Sequence, residues 1–333
     1  MIALPTAAKP TAISPIALPT AGRVTFHEYA EKWRAIQVHR PTTQAHTETM
    51  LRRHAYPYFG DRPIASILPS DVQAWVKGLS GTLAASTVGV AHGIVSGIFR
   101  SAVKDRRLIA NPCESTKLPR ADIAKVVPLS TESVNLIIES APARWQAMMT
   151  LGAGTGMRNG ECLGLTVDRV DFLRRTVTVD QQLVTVARRE PFLAPPKTAA
   201  SVRTIPMPQV VVDALSAHIA THGLGLGGLL FPGDDGQPMR RQVFSGRVWR
   251  PTITISKLPK GTVFHDLCHY YASLLILHGE SIKTVQARMG HASAVETLDT
   301  YSHMFPESED TTRAAIDDVL GRVADSVRTS SRS

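Results

Sequence analysis

The first third of the chain carries apolar residues at helical spacing, and this pattern predicts a helical domain over residues 23–115. The first helix should begin after Thr25, an N-cap residue that is followed three positions later by Glu28. Three further helices are predicted: TTQAHTETMLRRHAYPYFG, which should stop at Tyr56-Pro57; PSDVQAWVKGL, capped by Ser70; and STVGVAHGIVSGIFRSAVKDRRLIANP, which should stop at Asn111-Pro112.

A change of pattern after residue 115 predicts a second domain. Residues 116–128 contain two prolines and few large apolar residues, which is typical of a linker. Over residues 129–305, helices such as STESVNLIIESAP alternate with period-two segments, RRTVTVDQQLVTVARR and ASVRTIPMP. The predicted fold class is therefore mainly α: a helical domain followed by an α-rich domain with one small antiparallel β-sheet.

The two ends of the chain have a different character. Residues 1–22 are rich in Pro, Ala and Thr and repeat the sequence ALPTA, so we predict a disordered arm. Residues 306–333 carry apolar side chains at helical spacing and predict an amphipathic tail helix. That helix could pack on its own chain or on a neighbouring protomer, and we favour the neighbour.

Charge is distributed unevenly along the chain, whose formal net charge is +9 with a pI of about 9.7. From Arg23 to Arg120 there are 14 Lys and Arg against 7 Asp and Glu, whereas the remainder from Ala121 has 22 against 21. A basic domain of this kind favours a polyanionic partner, most often nucleic acid.

Hydropathy and cysteine content favour a cytoplasmic protein. No apolar run approaches the ~20 residues that a membrane-spanning helix needs. The three cysteines, Cys113, Cys162 and Cys268, lie far apart in the sequence, which is typical of a chain from a reducing compartment.

The segment HDLCHYY, residues 265–271, places His265, Cys268 and His269 on one face of a predicted helix. A structural zinc site would need four ligands, usually in two short pairs, and the other cysteines lie in separate segments. Cys268 is therefore better interpreted as a small apolar residue or as a substitution within a catalytic motif.

Five short motifs occur in a defined order: TGMRNGE, PKT followed by RTIP, HDLCH, MGH and TYSH. This set, with a basic helical domain before it, resembles the tyrosine recombinase (phage integrase) family of site-specific DNA recombinases. The resemblance spans about residues 25–315. It implies the tyrosine recombinase fold, with residues 23–115 as the core-DNA-binding domain and residues 129–305 as the catalytic domain.

The resemblance also implies a chemistry and a role for each motif residue. The family cleaves DNA through a 3′-phosphotyrosine intermediate, without a metal or another cofactor. Tyr301 would be the nucleophile. The other implied site residues are Arg158 and His291, which would bind the phosphate, and His265, which would hydrogen-bond the phosphate or assist proton transfer. Lys197 would protonate the leaving 5′-oxygen, and Glu161 would orient or buffer the site. We interpret His269 as a structural residue that packs or forms hydrogen bonds near the site.

One position departs from the family pattern, which has an arginine three residues after the motif histidine. Here that position is Cys268. A thiol carries neither the charge nor the planar donor fork of a guanidinium. We therefore expect impaired cleavage, unless Arg241, Arg247 or Arg250 replaces the missing side chain. The alternative is a catalytically inactive family member that only occupies attachment sites.

The partners implied by the resemblance are double-stranded DNA attachment sites, a homo-tetramer joined through the tail, and an accessory protein that bends DNA or sets direction. Binding would occur at simple core sites, near the bacterial nucleoid and away from membranes. The candidate DNA-binding residues of the helical domain are Arg52, Arg53, Arg100, Lys104, Arg106 and Arg107.

Overall fold

The structure of the protein is a computed structural model, and it describes residues 23–120, 126–304 and 313. Its backbone divides into two compact units, Met1–Ile123 and Ala124–Ser333, each with its own apolar core. The division falls within the segment 116–128, although the exact domain bounds stay a prediction. The predicted arm at 1–22 lies outside the described residues, as does the tail at 306–333 apart from Arg313.

The first unit is built of helices alone apart from one isolated bridge, within the described residues 23–120. Its elements are α1 (Phe26–Ile36), α2 (Pro41–Met50), a π-helical turn (Leu51–Ala55), α3 (Tyr56–Phe59), a 3-10 turn (Ile64–Ser66), α4 (Pro69–Ser80) and α5 (Ala85–Lys104). Aromatic rings fill its centre: the ring of Phe26 lies 5.6 Å from that of Phe59 and 5.4 Å from that of Phe99. This core holds α1, α3 and α5 together.

Local capping signals explain some helix ends and mislead at others. The capping box at Thr25 is present, because Thr25 Oγ1 accepts from the Glu28 amide and the Glu28 carboxylate accepts from the Thr25 amide. The predicted cap at Ser70 is wrong. α4 begins one residue earlier, at Pro69, and the Asp71 carboxylate accepts a hydrogen bond from the Leu68 amide at 2.9 Å.

Both predicted helix stops in this unit are also wrong. The chain does not leave the helical path at Tyr56-Pro57, since the π-helical turn leads into α3 with Pro57 in its first turn, where a missing N–H is tolerated. α5 ends at Lys104, well before Asn111-Pro112. Arg106 adopts a positive φ of 54°, which is incompatible with continuing the helix.

The second unit is α-rich with short strands. Its helices are α6 (Thr131–Ser140), α7 (Ala143–Thr155), α8 (Asn159–Leu163), α9 (Gln209–His222), α10 (Arg241–Phe244), α11 (Arg250–Ile255), α12 (His265–Leu277), α13 (Ile282–Met289) and α14 (Ala294–Tyr301). Its strands are β1 (Val170–Asp171), β2 (Thr176–Val179), β3 (Gln182–Val184), β4 (Phe192–Ala194) and β5 (Arg203–Pro206). A π-helical turn, Ser245–Trp249, joins α10 to α11. The mainly α fold class is confirmed.

The strands form two small antiparallel sheets where one was predicted. The first has the order β1-β2-β5, with Val177 opposite Ile205, and the second pairs β3 with β4, with Leu183 opposite Leu193. β1 and β4 have two and three residues, too few for alternation to reveal them. The loop between β4 and β5 carries Lys197.

α7 lies at the centre of the second unit and packs against α9 and α12. Its residues Met148, Met149 and Leu151 are completely buried, which explains why apolar residues occur on every face of this helix. α7 ends at Gly156, with a φ of 66°, where a Cβ would lie 2.6 Å from the ring of Tyr271. The chain therefore turns sharply at a glycine just before Arg158.

No helix of the described residues combines the length and the apolar character that crossing a membrane requires.

Candidate active site

Arg158 is fixed at the start of α8 by a buried carboxylate. Glu161 accepts hydrogen bonds from the Arg158 amide at 2.9 Å and from Arg158 Nη1 at 3.1 Å. Arg158 Nη2 donates to the carbonyl of Met289, the last residue of α13, at 3.1 Å. The Arg158 side chain remains 35% exposed. Its guanidinium is therefore oriented by the protein and still accessible to an anion.

A second arginine, which sequence reasoning missed, neutralises Glu161. Arg203 on β5 donates from Nη1 and Nη2 to the two Glu161 oxygens at 3.1 and 2.9 Å, and both side chains are buried. Burial raises the pKa of Glu161, but Arg203 and then Arg158 outweigh it and hold that pKa below its usual range. Arg203 belongs to the RTIP motif, although strand alternation alone does not reveal its partner.

The turn between α13 and α14 brings His291 close to this network. Gly290 has a φ of 65°, and a Cβ there would lie 3.2 Å from Arg203 Nη1, so glycine suits both the backbone and the space. His291 is buried, and its Nδ1 lies 2.9 Å from Thr297 Oγ1. Burial lowers the pKa of His291, assisted by Arg158 and opposed by Glu296. The ring is therefore neutral near pH 7.

His265 opens α12 and is exposed to solvent. Its ring meets that of His269, one helical turn later, edge to face at 4.7 Å. Desolvation by the surrounding chain lowers the pKa of His265 to about 4, and repulsion from Arg158, and from His269 whenever it is protonated, acts in the same direction. His265 can thus hydrogen-bond an incoming oxygen in its neutral form.

Tyr301, at the end of α14, is buried, and its hydroxyl lies 2.7 Å from His269 Nδ1. Burial, with a smaller contribution from Cys268, raises the pKa of Tyr301, and Arg158 opposes this shift. The sequence predicts that His269 packs or forms hydrogen bonds near the site, and the structure identifies its partner as the predicted nucleophile. The spacing of HDLCH places His269 on the motif face but cannot reveal this partner from another helix.

Cys268 lies within the same cluster and is completely buried. Its Sγ donates to the Met157 carbonyl at 3.3 Å, and Cys162 Sγ lies 3.7 Å from the same oxygen. Burial raises the pKa of Cys268 to about 12, so the thiol is uncharged at neutral pH. The two cysteines, distant in sequence, thus meet in space. No group of three potential metal-ligating side chains occurs among the described residues.

Comparison with known proteins decides the family. A sequence profile described as the phage integrase family matches residues 125–308, and one described as the phage integrase central domain matches residues 26–118. The chain belongs to the phage integrase family.

Named relatives agree with this assignment. A putative prophage phiRv2 integrase of Mycobacterium tuberculosis is 28% identical over 286 residues, covering 84% of this chain and 74% of that protein. The integrase of Mycobacterium phage FRAT1 is 24% identical, covering 82% of each.

Solved structures share the fold of this phage integrase family member. The integrase of transposon Tn1549 bound to a circular-intermediate DNA has a TM-score of 0.75 at 24% identity, covering 87% of this chain and 98% of that chain. A lambda integrase dimer bound to a core site has a TM-score of 0.62 at 17% identity, covering 82% and 97% respectively. At these identities the likeness establishes the tyrosine recombinase fold.

Within this family member, Lys197 is exposed on the loop between β4 and β5. Its neighbour Thr198 hydrogen-bonds Ser201 through their hydroxyls at 2.9 Å, and the Ser201 hydroxyl donates to the Gly290 carbonyl at 3.5 Å. This chain of contacts anchors the loop of Lys197 to the turn that carries His291.

The candidate replacements for a clamp arginine at position 268 belong to another segment of the chain, residues 241–250. Arg241, Arg247 and Arg250 are all exposed, on α10, the following π-helical turn and α11. The arginines whose charges act on Cys268 are Arg158 and Arg203. The guanidinium groups near the cysteine are therefore already engaged by Glu161.

The candidate DNA-binding side chains of the first unit share two properties. All are exposed, and none forms a salt bridge with a carboxylate among the described residues. They are Arg52 and Arg53 on the π-helical turn, Arg100 and Lys104 on α5, and Arg106 and Arg107 just after it. These cations are available to an external polyanion.

Proposed function

We propose that this family member is a site-specific DNA recombinase that integrates or excises phage or prophage DNA through a 3′-phosphotyrosine intermediate. One observation supports this most strongly: residues of distant motifs form one cluster. Arg158 donates to the Met289 carbonyl, two residues before His291, and its charge acts on His265 and Tyr301. The cluster combines a nucleophile with groups that bind a phosphate, as phosphoryl transfer requires.

In the proposed reaction, Tyr301 Oη attacks a backbone phosphorus, a Tyr–O–P bond forms, and the bond from phosphorus to the 5′-oxygen breaks. Arg158, His265 and His291 donate to the non-bridging oxygens, where negative charge accumulates. Lys197 gives a proton to the departing 5′-oxygen. Because the phosphodiester energy stays in the new bond, rejoining needs no cofactor.

We further propose that cleavage is weakened at Cys268. The thiol is buried, uncharged and engaged with the Met157 carbonyl, so it offers nothing to a phosphate oxygen. Losing one preorganised donor typically costs ~10²–10³ in rate. An arginine that stabilises a phosphoryl transition state contributes roughly 10³–10⁵.

DNA binding itself does not depend on that position. The six exposed cations of the first unit support a contact with the phosphate backbone of an attachment site, where most protein–DNA hydrogen bonds are made. We propose that the protein assembles as a tetramer on paired sites, with an accessory protein, at the bacterial nucleoid. A solved lambda integrase is a tetramer on a Holliday junction, and this supports the proposal by analogy of fold.

The test is covalent trapping. The probe is a duplex selected from a random-sequence library by its binding to the protein, then nicked beside the cleavage point so that the short 5′-OH fragment diffuses away. We expect a protein–DNA adduct that is absent in Tyr301→Phe. An adduct that persists in Tyr301→Phe would contradict the assignment of the nucleophile.

A second candidate function is site occupancy without strand cleavage, and the specific observation that favours it is Cys268. DNA binding without an adduct, both in the parent chain and in Cys268→Arg, would support this alternative. An adduct that appears only in Cys268→Arg would identify a recombinase disabled at one residue.

A further inference from the structure

The proposed reaction leaves one proton unassigned, that of the Tyr301 hydroxyl. A phenol attacks phosphorus well only as it loses this proton, and burial raises the pKa of Tyr301 above its ordinary value near 10. Spontaneous ionisation is therefore unfavourable at this site. An acceptor must lie within hydrogen-bond distance of the hydroxyl.

His269 satisfies the geometry of such an acceptor. Its Nδ1 lies 2.7 Å from Tyr301 Oη, within the usual range for a hydrogen bond, and the two rings are 5.7 Å apart at 63°. Among the described residues, it is the side chain that hydrogen-bonds this hydroxyl. Arg158 cannot accept a proton. The ring of His265 contacts the ring of His269, and among the described residues His265 forms no hydrogen bond with the Tyr301 hydroxyl.

The environment of His269 keeps its ring neutral. Burial lowers the pKa of His269, and Asp266 on the same helix opposes this shift only in part. With the ring proton on Nε2, the Nδ1 lone pair accepts the hydrogen bond from the hydroxyl. After proton transfer, the carboxylate of Asp266 stabilises the charge that forms on the ring.

We propose that His269 is the proton acceptor for Tyr301 in strand cleavage and returns the proton in rejoining. As the Tyr–O–P bond forms, the hydroxyl proton moves to His269 Nδ1, while the 5′-oxygen leaves with the proton of Lys197. In the reverse step His269 protonates the departing tyrosine oxygen. This inference rests on the proposed role of Tyr301 as nucleophile.

The decisive variant is His269→Asn. The asparagine amide reaches the position of Nδ1 and can hold the hydroxyl by a hydrogen bond, but it cannot take a proton. We expect adduct formation to slow by about 10²–10³-fold, within the range typical of a missing general base. DNA binding by the same variant should be unchanged, and this controls for correct folding.

Two chemical substitutions separate the base from the acid. A duplex with sulfur in place of the bridging 5′-oxygen has a leaving group that needs no proton, so it should restore cleavage in Lys197→Ala but not in His269→Asn. Replacing Tyr301 with 3,5-difluorotyrosine, a more acidic phenol, should reduce the defect of His269→Asn at least tenfold. Parallel measurements in Cys268→Arg provide a faster background if the parent reacts too slowly.

Three results would contradict the proposed role of His269. Cleavage by His269→Asn within threefold of the parent, faster cleavage, or rescue by the sulfur-containing duplex would overturn the role of His269 while leaving that of Tyr301 intact. Absence of an adduct in both backgrounds would overturn the proposed function itself, and this inference with it.

Discussion

Two groups of arginines in this protein are used in opposite ways. In the first unit, Arg52, Arg53 and Arg100 are exposed and form no salt bridge with a carboxylate among the described residues. In the second unit, Arg203 is buried and bound through two hydrogen bonds to Glu161. The first arrangement leaves charge available to a polyanion, whereas the second uses charge to hold Arg158 and the residues around it in position.

The net charge of a segment and the pairing of charges within a site therefore indicate different properties of the protein. The excess of basic residues lies in the segment Arg23–Arg120, and it indicates the partner. The segment from Ala121 is nearly neutral, yet it holds the arginines that the proposed chemistry needs. A surface can therefore be identified by its excess charge, and a site by how its charges are paired.

The largest effect should come from breaking the buried pair. Arg203→Met leaves the Glu161 carboxylate buried without its main partner, and we expect a decrease of roughly 3–5 kcal/mol in the free energy of unfolding. Denaturant titration measures it. The double variant Arg203→Met with Glu161→Leu should recover much of this stability, and Arg174→Ala, at an exposed site, should change stability by less than about 0.5 kcal/mol. A decrease below about 1 kcal/mol in Arg203→Met would contradict this view.

The variant Cys268→Arg introduces a third kind of arginine, a buried guanidinium without its own carboxylate. We expect Cys268→Arg to raise the rate of adduct formation by about 10²–10³-fold, the contribution of one preorganised donor. It should also lower stability, because the position is completely buried. Cys268→Met adds bulk without charge and should leave the rate low. An increase of less than tenfold in Cys268→Arg would refute a vacant clamp position.

Removing exposed cations should affect binding and not folding. The triple variant Arg52→Ala, Arg53→Ala and Arg100→Ala should keep the stability of the parent. Its DNA affinity should depend less on salt, with the slope of log K against log salt reduced by about 0.9 for each phosphate that the variant no longer neutralises. Arg174→Ala, in the second unit, should leave the slope unchanged. An unchanged slope in the triple variant would exclude these residues from the DNA interface.

The smallest expected effect is a loss of folding stability at low pH, caused by protonation of Glu161. The pKa of Glu161 is held below its usual range in the folded protein, so the stability from its ionised form is present above the pKa of the unfolded chain and disappears as pH falls through the folded value. Below about pH 4.5, the parent should therefore lose stability more steeply than Glu161→Gln. Denaturation series at several pH values measure this difference, and parallel curves would contradict it.

Local sequence signals correctly predicted helix ends that depend only on residues adjacent in sequence. Thr25 caps α1 as predicted, because the cap is completed within three residues. The same reasoning failed at Ser70, where Asp71 competes as the acceptor, and at Pro57, which a helix tolerates in its first turn. Propensity identifies possible ends but does not rank competing ones.

The same limit applies to the candidate site: motif residues are found from the sequence, but their distant partners are not. The motif set gave Arg158, His265, His291 and Tyr301 as candidates, and the structure brings these four residues into one region. The pairing of Glu161 with Arg203 spans 42 residues, and that of His269 with Tyr301 spans 32. Partners at such distances depend on how α12, α14 and β5 pack, and no periodicity along the chain encodes that.

The burial of Tyr301 has a consequence for when the protein can act. Its side chain is 1% exposed, so we expect a rearrangement that opens the hydroxyl to a phosphate while keeping its hydrogen bond to His269. With Tyr301 as the proposed nucleophile, the cleavage rate should be proportional to the fraction of molecules in which its hydroxyl is accessible. DNA that favours that state raises the fraction only by its differential affinity. Duplexes that bind both states equally are held without being cut. Selectivity for an attachment site can thus arise after binding, in a conformational equilibrium that incorrect sequences fail to shift.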